Sequence, residues 1–158
     1  MKKLVLYLCL TISLNASTID LWDTNFYEIT KEGDKDCLVA DVSEFSLRLN
    51  QKLQKMICNF AMEAEVFKIV DVQTKNGHIY IKAIPVPHNC NEIGVSKCLD
   101  EPIQNAPSYP QNFIVFDMEL LNDHSLSLKD KFGVRFYTND IKKYTLCKSQ
   151  IEVEELEE

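Results

Sequence analysis

The sequence predicts an α+β domain in which one long amphipathic helix packs on an antiparallel sheet of four to five strands. Three observations lead to this prediction: an apolar stripe of helical period in residues 45–64, a hairpin signal at Asn76 and Gly77, and alternating apolar residues after residue 112. A long loop that contains two cysteines joins the hairpin to the later strands, and a disulfide is expected to pin it.

The helix is predicted from the spacing of its apolar residues. Asp41 or Ser43 can cap its first turn, and Glu44 stands three residues after Asp41 as in a capping box. Side chains that recur at spacings of three and four then share one face of the helix. They are Phe45, Leu49, Leu53, Met56, Ile57, Phe60, Ala61 and Ala64. On such a helix Cys58 projects about 150° away from the stripe, where it is free to meet Cys37, Cys147 or another covering element.

The hairpin is predicted from its turn. Asn76 and Gly77 are the preferred pair for a type I′ turn, because both residues tolerate the positive φ angles that this turn requires. The register predicted from this turn pairs Lys75 with His78, Gln73 with Tyr80, Val72 with Ile81, Asp71 with Lys82, and Val70 with Ala83. One face of this hairpin is apolar and the other is polar, as expected for a half-buried pair of strands.

Residues 85–111 form the predicted loop, in which no helical or strand period is visible. All five prolines of the chain lie in it, together with Cys90 and Cys98. Connections in compact domains are usually about 4–6 residues long. A loop of this length is generally functional, pinned by a disulfide or partly disordered.

The remaining strands are predicted from runs of apolar residues. Residues 113–121 are strongly apolar, and Phe132, Val134 and Phe136 alternate with Gly133, Arg135 and Tyr137. Residues 144–153 are predicted as a last strand that carries Cys147. The resulting organisation is one globular domain over residues 17–150, followed by an acidic tail over residues 151–158.

The first residues predict a cleaved signal peptide. Lys2 and Lys3 precede the apolar run Leu4–Leu14, and Asn15, Ala16 and Ser17 follow it with small and polar side chains. A membrane-spanning helix needs about 20 consecutive apolar residues, and this run is much shorter. We therefore expect removal of residues 1–16 and a periplasmic or secreted protein that does not span the membrane.

The charge of the chain restricts its partners. Loss of Lys2 and Lys3 lowers the number of basic residues from 17 to 15 against 24 acidic residues, so the formal charge moves from −7 to −9. A surface this acidic repels phosphate backbones, so nucleic acid is not an expected partner. No cofactor fingerprint is present, and no cofactor is expected.

Five cysteines remain after the predicted cleavage: Cys37, Cys58, Cys90, Cys98 and Cys147. An oxidising compartment favours disulfides. Cys90 and Cys98 are predicted to pair with each other, and two of the other three are predicted to form a second bond. The third thiol is then either buried or able to link two chains in a covalent dimer.

The loop also offers groups with metal-binding or catalytic chemistry. His88, Cys90, Cys98 and Asp100 carry the atoms that bind zinc, but their spacing matches no recognised zinc motif, and an oxidising compartment favours a disulfide. No metal site is therefore predicted. A cysteine nucleophile needs a nearby imidazole, and only His88 is placed beside a cysteine by local sequence.

These observations lead to the hypothesis of a non-enzymatic, exported binding or accessory protein that recognises a protein partner in the cell envelope. Its proline-rich loop is the expected contact surface. The residues proposed for contact are His88, Cys90, Cys98, Tyr109 and Phe113. Two alternatives stay open, namely a small secreted hydrolase that uses groups of the same loop and an inhibitor of an extracellular enzyme. A cleft with two carboxylates, or with a histidine against one, would favour the hydrolase.

Overall fold

A computed structural model describes residues 20–40, 45–60, 63–87, 90–103 and 112–148. Within these ranges nine strands form one curled antiparallel sheet. The strands are β1 (Tyr27–Glu32), β2 (Lys35–Leu38), β3 (Leu47–Asn50), β4 (Lys55–Phe60), β5 (Glu63–Lys75), β6 (His78–Pro85), β7 (Ile114–Leu120), β8 (Ser125–Asp130) and β9 (Gly133–Thr138). Their order across the sheet is β2-β1-β9-β8-β7-β6-β5-β4-β3.

The helical elements are short. They are α1 (Cys90–Ile93), α2 (Val95–Asp100) and one 3-10 turn at Ile141–Lys143. In the ranges given above, no helix has the length or the apolar character that crossing a bilayer requires. The predicted signal peptide (1–16), the predicted helix caps (41–44) and the acidic tail (151–158) lie outside the described residues.

The predicted α+β fold with one long helix on four to five strands is wrong. Residues 45–64 contain β3, β4 and the first residues of β5, and residues 51–54 form the turn between β3 and β4. β4 is buried on both faces, because Met56 and Cys58 pack in one core whereas Ile57 packs in another. Two-sided burial places apolar residues at consecutive positions, so the spacing imitates the apolar face of a helix.

The hairpin of β5 and β6 was largely predictable. Four of the expected cross-strand pairs are confirmed, from Lys75 with His78 to Asp71 with Lys82. The fifth is wrong, because Ala83 pairs with Ile69 and not with Val70. An irregularity between Ile69 and Asp71 adds one residue to β5 and shifts the register.

The segment that leads into β1 connects the two ends of the sheet. The backbone amide of Phe26 donates to the carbonyl oxygen of Leu47 in β3 at 2.9 Å, and the amide of Asp23 donates to that of Leu49 at 2.7 Å. A few residues later, β1 pairs with β9 and β2. Because residues 22–32 bond to β3 and then to β9, the sheet curls around a concave face.

The concave face holds the main core. Its largest buried side chains come from most strands and from the segment before β1. They are Phe26, Leu47, Leu49, Met56, Phe67, Ile69, Ile81, Phe116, Met118, Leu126, Leu128 and Tyr137. Alternation along each strand sends every second side chain to this face, so the other set lies on the convex face.

A second, smaller core lies on the convex face of β4 and β5. The prediction that residues 85–111 have no regular structure is wrong for the described part, since α1 and α2 cover Ile57 and Val66 there. Leu99 of α2 is fully buried in this core. The two helices are shorter than two turns each, which is too short to produce a visible helical period. We call residues 90–101 the helical cover.

Lys55 fastens the helical cover to the sheet. Its side chain is almost fully buried, and its ammonium group donates to the backbone carbonyl oxygens of Cys98 and Glu101, the latter at 2.8 Å. The last carbonyls of a helix have no partner within the helix, so Lys55 supplies their missing donors. Burial lowers the pKa of Lys55, and the carboxylates of Glu101 and Asp100 oppose this shift.

Replacement of Lys55 is expected to loosen the helical cover. Lys55→Met keeps the length of the side chain but leaves the two carbonyls without donors, which should lower the free energy of unfolding by about 1–3 kcal/mol. Lys68→Met is the matched control, because Lys68 is the exposed cross-strand neighbour of Lys55. Denaturant unfolding measures both variants. Equal unfolding midpoints for the two would contradict the role given to Lys55.

The structure contains two disulfides, so the disulfide bonding expected from the cysteine content is confirmed. Cys90 pairs with Cys98 inside the helical cover, and Cys37 of β2 pairs with Cys147. Beside this second disulfide, the backbone amide of Leu38 donates to the carbonyl oxygen of Thr145 at 2.8 Å. The amide of Cys147 donates to the carbonyl oxygen of Leu38 at 3.1 Å. Within the described part of residues 144–153, this contact is a single bridge and not the predicted strand.

Cys58 is the free cysteine of the described residues, and it is fully buried in the concave core. The predicted helix placed Cys58 away from the apolar stripe, whereas in the structure it packs in the main core. Burial raises the pKa of its thiol to about 12, so the reactive thiolate is strongly disfavoured. The covalent dimer that the odd cysteine count allowed is therefore not favoured by this geometry.

Thiol counting tests this arrangement. A chain that begins at Ser17, and so lacks Cys9, should show no thiol reactive with a disulfide reagent while folded and one after denaturation. Three or five reactive thiols after denaturation would show that a disulfide is missing. Rapid reaction of the folded chain would show that Cys58 is accessible.

Candidate functional site

Three of the five predicted contact residues lie in the described part of the chain: Cys90, Cys98 and Phe113. His88 and Tyr109 lie outside the described residues, so their roles stay predictions. The side chains of Cys90 and Cys98 are buried in the helical cover and are not available to a partner. Phe113 is exposed, and the ammonium group of Lys82 lies 4.0 Å from the centroid of its ring.

An open groove lies on the convex face where β1 meets β9, with a volume of about 530 Å³. Ile29 and Phe136 are cross-strand neighbours within it, and Leu121 and Tyr144 line it as well. The exposed fractions of Phe136 and Leu121 are 45% and 47%. We call this feature the outer groove.

The alternation of side chains in β9 places Phe136 in the outer groove and the charged Arg135 on the concave side. Val134 and Phe136 face outward, whereas Arg135 and Tyr137 face the concave side. The predicted alternation of this strand is therefore present, but its larger apolar residues are on the solvent side. Exposed apolar side chains at a groove are typical of an interaction site.

Asp130 positions Arg135 at one end of the concave face. One of its carboxylate oxygens accepts hydrogen bonds from the backbone amides of Phe132 and Gly133, at 2.7 and 3.2 Å. The other accepts from the guanidinium of Arg135 at 2.8 Å. One carboxylate thus fixes both the turn between β8 and β9 and the direction of the Arg135 side chain.

Two more carboxylates lie near Arg135. Glu28 is the cross-strand neighbour of Tyr137, and Glu65 is that of Cys58, so all four share the concave side. Burial raises the pKa of Glu28, and Arg135 opposes the shift. We call this set of interacting groups the mouth cluster, and its members are Glu28, Cys58, Glu65, Asp130, Arg135 and Tyr137.

The hydroxyl of Tyr137 has an unusual environment in the mouth cluster. Tyr137 is fully buried, and its hydroxyl has no hydrogen-bond partner among the described residues. Burial raises its pKa. A cleft of about 370 Å³ opens beside the cluster, lined by Glu65 and by residues 132–135.

The structure contains one contact between a histidine and a carboxylate among the described ion pairs. Nδ1 of His78 lies 2.7 Å from Oδ1 of Asp117, and the ring of His78 stacks on that of Tyr80. The pair is partly exposed on the convex face of β6 and β7. Cys58 faces the concave side, so the pair cannot activate this thiol.

One group of potential metal ligands is found in the described ranges: Glu32, Cys37 and Cys147, whose ligand atoms lie within 4.8 Å of one another. The two sulfur atoms form a disulfide, and a carboxylate oxygen of Glu32 accepts a hydrogen bond from the amide of Lys148 at 2.8 Å. In this oxidised form the sulfur atoms are not available as thiolate ligands.

Sequence reasoning selected none of the residues of the outer groove and none of the mouth cluster's carboxylates as site residues. The signal that was present is the alternation in residues 132–137, which separates an apolar from a polar face. Which face points inward depends on the curl of the sheet.

Comparisons of this chain with protein-family models, with curated proteins and with solved structures give no match.

The raised pKa of Glu28 predicts how stability depends on pH. A carboxyl whose pKa is higher in the folded state contributes stability at low pH that is lost as the pH rises through that pKa. The side chain of Glu28→Gln stays neutral at every pH, whereas Glu28 becomes a buried carboxylate as the pH rises. The Tm of the variant minus that of the native chain should therefore increase between about pH 4 and about pH 8. Thermal unfolding measures this difference.

Glu119→Gln is the control for this measurement, because Glu119 is exposed on β7. Its Tm relative to the native chain should change less over the same pH range. If the difference for Glu28→Gln stays constant or shrinks as the pH rises, burial is not the dominant influence on Glu28.

Proposed function

We propose that this chain is an exported, non-enzymatic binding protein whose outer groove holds an apolar segment of a partner protein. The observation that supports this proposal most directly is the exposure of Phe136 and Leu121 in a groove of about 530 Å³. Binding sites commonly have volumes of about 300–1,000 Å³ and a mostly apolar lining. Phe136 and Leu121 do not belong to the main core on the concave face, so packing of that core does not account for their position.

Export is supported by two separate features. The first residues have the composition of a signal peptide, and the described chain contains two disulfides. Disulfides are typical of the periplasm and of secreted proteins, and they are rare in a reducing cytosol.

The chemistry of the outer groove favours an apolar segment over a charged ligand. Its charged lining residues include Lys31 and Asp36, which are cross-strand neighbours of opposite sign and largely offset each other. Its uncharged lining residues include Ile29, Phe136 and Tyr144. Tyrosine is frequent among the residues that contribute most to binding at protein interfaces.

The two alternative functions receive less support from this geometry. The hydrolase alternative uses groups of the 85–111 loop, of which His88 lies outside the described residues. Among the described ion pairs, the contact between a histidine and a carboxylate is that of His78 with Asp117, and it lies on the outside of the sheet. An inhibitor would insert the ring closed by Cys90 and Cys98 into an enzyme. Both cysteines are buried against β4 and β5, so this ring is part of the packed cover.

Site-specific crosslinking tests the outer groove. A photoreactive phenylalanine analogue replaces Phe136 in one chain and Val115 in another, and each is irradiated in the native cell envelope. Val115 is the matched control because it is also apolar, has an exposed fraction of 55% and lies on the same face of the sheet. We expect a discrete crosslinked partner from position 136 and none from position 115.

The affinity for that partner is then measured with Phe136→Ser and Val115→Ser. Loss of the apolar contact in the groove should weaken binding at least tenfold, about 1.4 kcal/mol, for Phe136→Ser only. Equal crosslinking at both positions, or unchanged affinity for Phe136→Ser, would rule out the outer groove as the binding surface.

A further inference from the structure

The last part of β5 extends beyond its neighbour β4. The register of β4 with β5 ends at Lys68, and the amide of Ile69 then donates to the carbonyl oxygen of Gln54 at 2.7 Å. Beyond this point β5 pairs with β6 alone among the described strands. Residues 70–75 are all exposed, and we call them the open edge.

Two residues of the open edge direct their backbone hydrogen-bonding groups away from β6. In a hairpin with a two-residue turn, the flanking residues, here Lys75 and His78, form a hydrogen-bonded pair. Hydrogen-bonded and non-hydrogen-bonded positions then alternate along the strands, and the register is regular from Asp71 to Lys75. The N–H and C=O groups of Val72 and Thr74 therefore point outward, where they form a template for another strand.

The sequence of the open edge is complementary to itself. When two copies pair antiparallel about a twofold axis at Gln73, Val72 of each copy faces Thr74 of the other. Both residues point their backbone groups outward, so they form hydrogen-bonded pairs across the axis. The same register places Asp71 of each copy opposite Lys75 of the other. Opposite charges at directly facing positions stabilise a pair of strands, and like charges destabilise it.

The charges also select one register among the twofold arrangements. With the axis at Val72, Asp71 would face Gln73 of the second copy, and Lys75 would face Ile69. With the axis at Thr74, Lys75 would face Gln73, and Asp71 would face a glycine of the turn. Only the axis at Gln73 brings the two opposite charges together.

We propose that two copies of this chain associate through their open edges, with the twofold axis at Gln73. A second copy is the occupant that this edge specifies, because the same short segment supplies both the outward backbone groups and the facing charges. Val70 and Val72, with exposed fractions of 47% and 38%, would lose solvent contact at the junction. The association is non-covalent, since the free Cys58 is buried in the core of each chain. The outer groove contains none of these residues.

Sedimentation equilibrium of the folded, disulfide-bonded chain tests the proposal by exchange of charges. Asp71→Lys and Lys75→Asp each place like charges opposite each other, so each should weaken self-association at least tenfold. A mixture of these two variants restores opposite charges between unlike chains and should associate at least as well as the native chain. Lys68→Asp is the matched control, because it reverses an exposed charge of β5 outside the open edge and should leave self-association unchanged.

Oxidative crosslinking tests the position of the axis. In the proposed register Gln73 and its symmetry mate form a non-hydrogen-bonded pair, whose Cα atoms lie about 4.5 Å apart. A disulfide can span this distance. Mild oxidation of Gln73→Cys should therefore give a covalent dimer on non-reducing electrophoresis, and Lys68→Cys should give at least tenfold less.

Several outcomes would overturn the proposal. A native chain that stays monomeric up to about 1 mM would show that the open edge does not associate. A mixture of Asp71→Lys and Lys75→Asp that associates no better than either variant alone would exclude the facing charges. Equal crosslinking of Gln73→Cys and Lys68→Cys would exclude the axis. Phe136→Ser should leave self-association unchanged, which separates this proposal from the function proposed for the outer groove.

Discussion

The structure depends on one stretch of backbone that pairs with two distant parts of the sheet. The segment that ends at Phe26 bonds to β3, and β1 then bonds to β9. This double pairing curls the sheet and decides which face of every strand becomes the interior. It also places Glu28 on the concave side and Ile29 on the convex side, so the mouth cluster and the outer groove arise from adjacent residues of one strand.

Local features of the fold could be predicted from the sequence, and nonlocal features could not. The turn at Asn76 and Gly77 has its own backbone chemistry, and it set the register of four cross-strand pairs. The error at Val70 follows from an irregularity in β5 that turn chemistry does not specify. The long predicted helix was wrong because Ile57 lies under a cover contributed by residues more than thirty positions later in the chain.

Predicting the candidate sites from the sequence would have required the same nonlocal information. Residues 132–137 show a clear alternation, but the sequence alone favours burial of Phe132, Val134 and Phe136, since large apolar side chains are usually inside. The curl of the sheet reverses this expectation. Glu65 and Arg135 are 70 positions apart in the sequence, and only the folded chain brings both to one cleft.

Each face of β9 has one side chain whose placement is unfavourable for stability. Outward placement of Phe136 forgoes the stabilisation that burial of an aromatic side chain gives, roughly 1.5–3 kcal/mol. Inward placement of Arg135 takes a charge partly out of water, which is unfavourable unless carboxylates accompany it. Rotating the strand to the opposite face would bury Phe136 and expose Arg135, but it would also expose Tyr137, which packs in the main core, and break the pairing of β9 with β1 and β8. Local departures from the most stable arrangement are concentrated where proteins bind their ligands, and here they coincide on one strand.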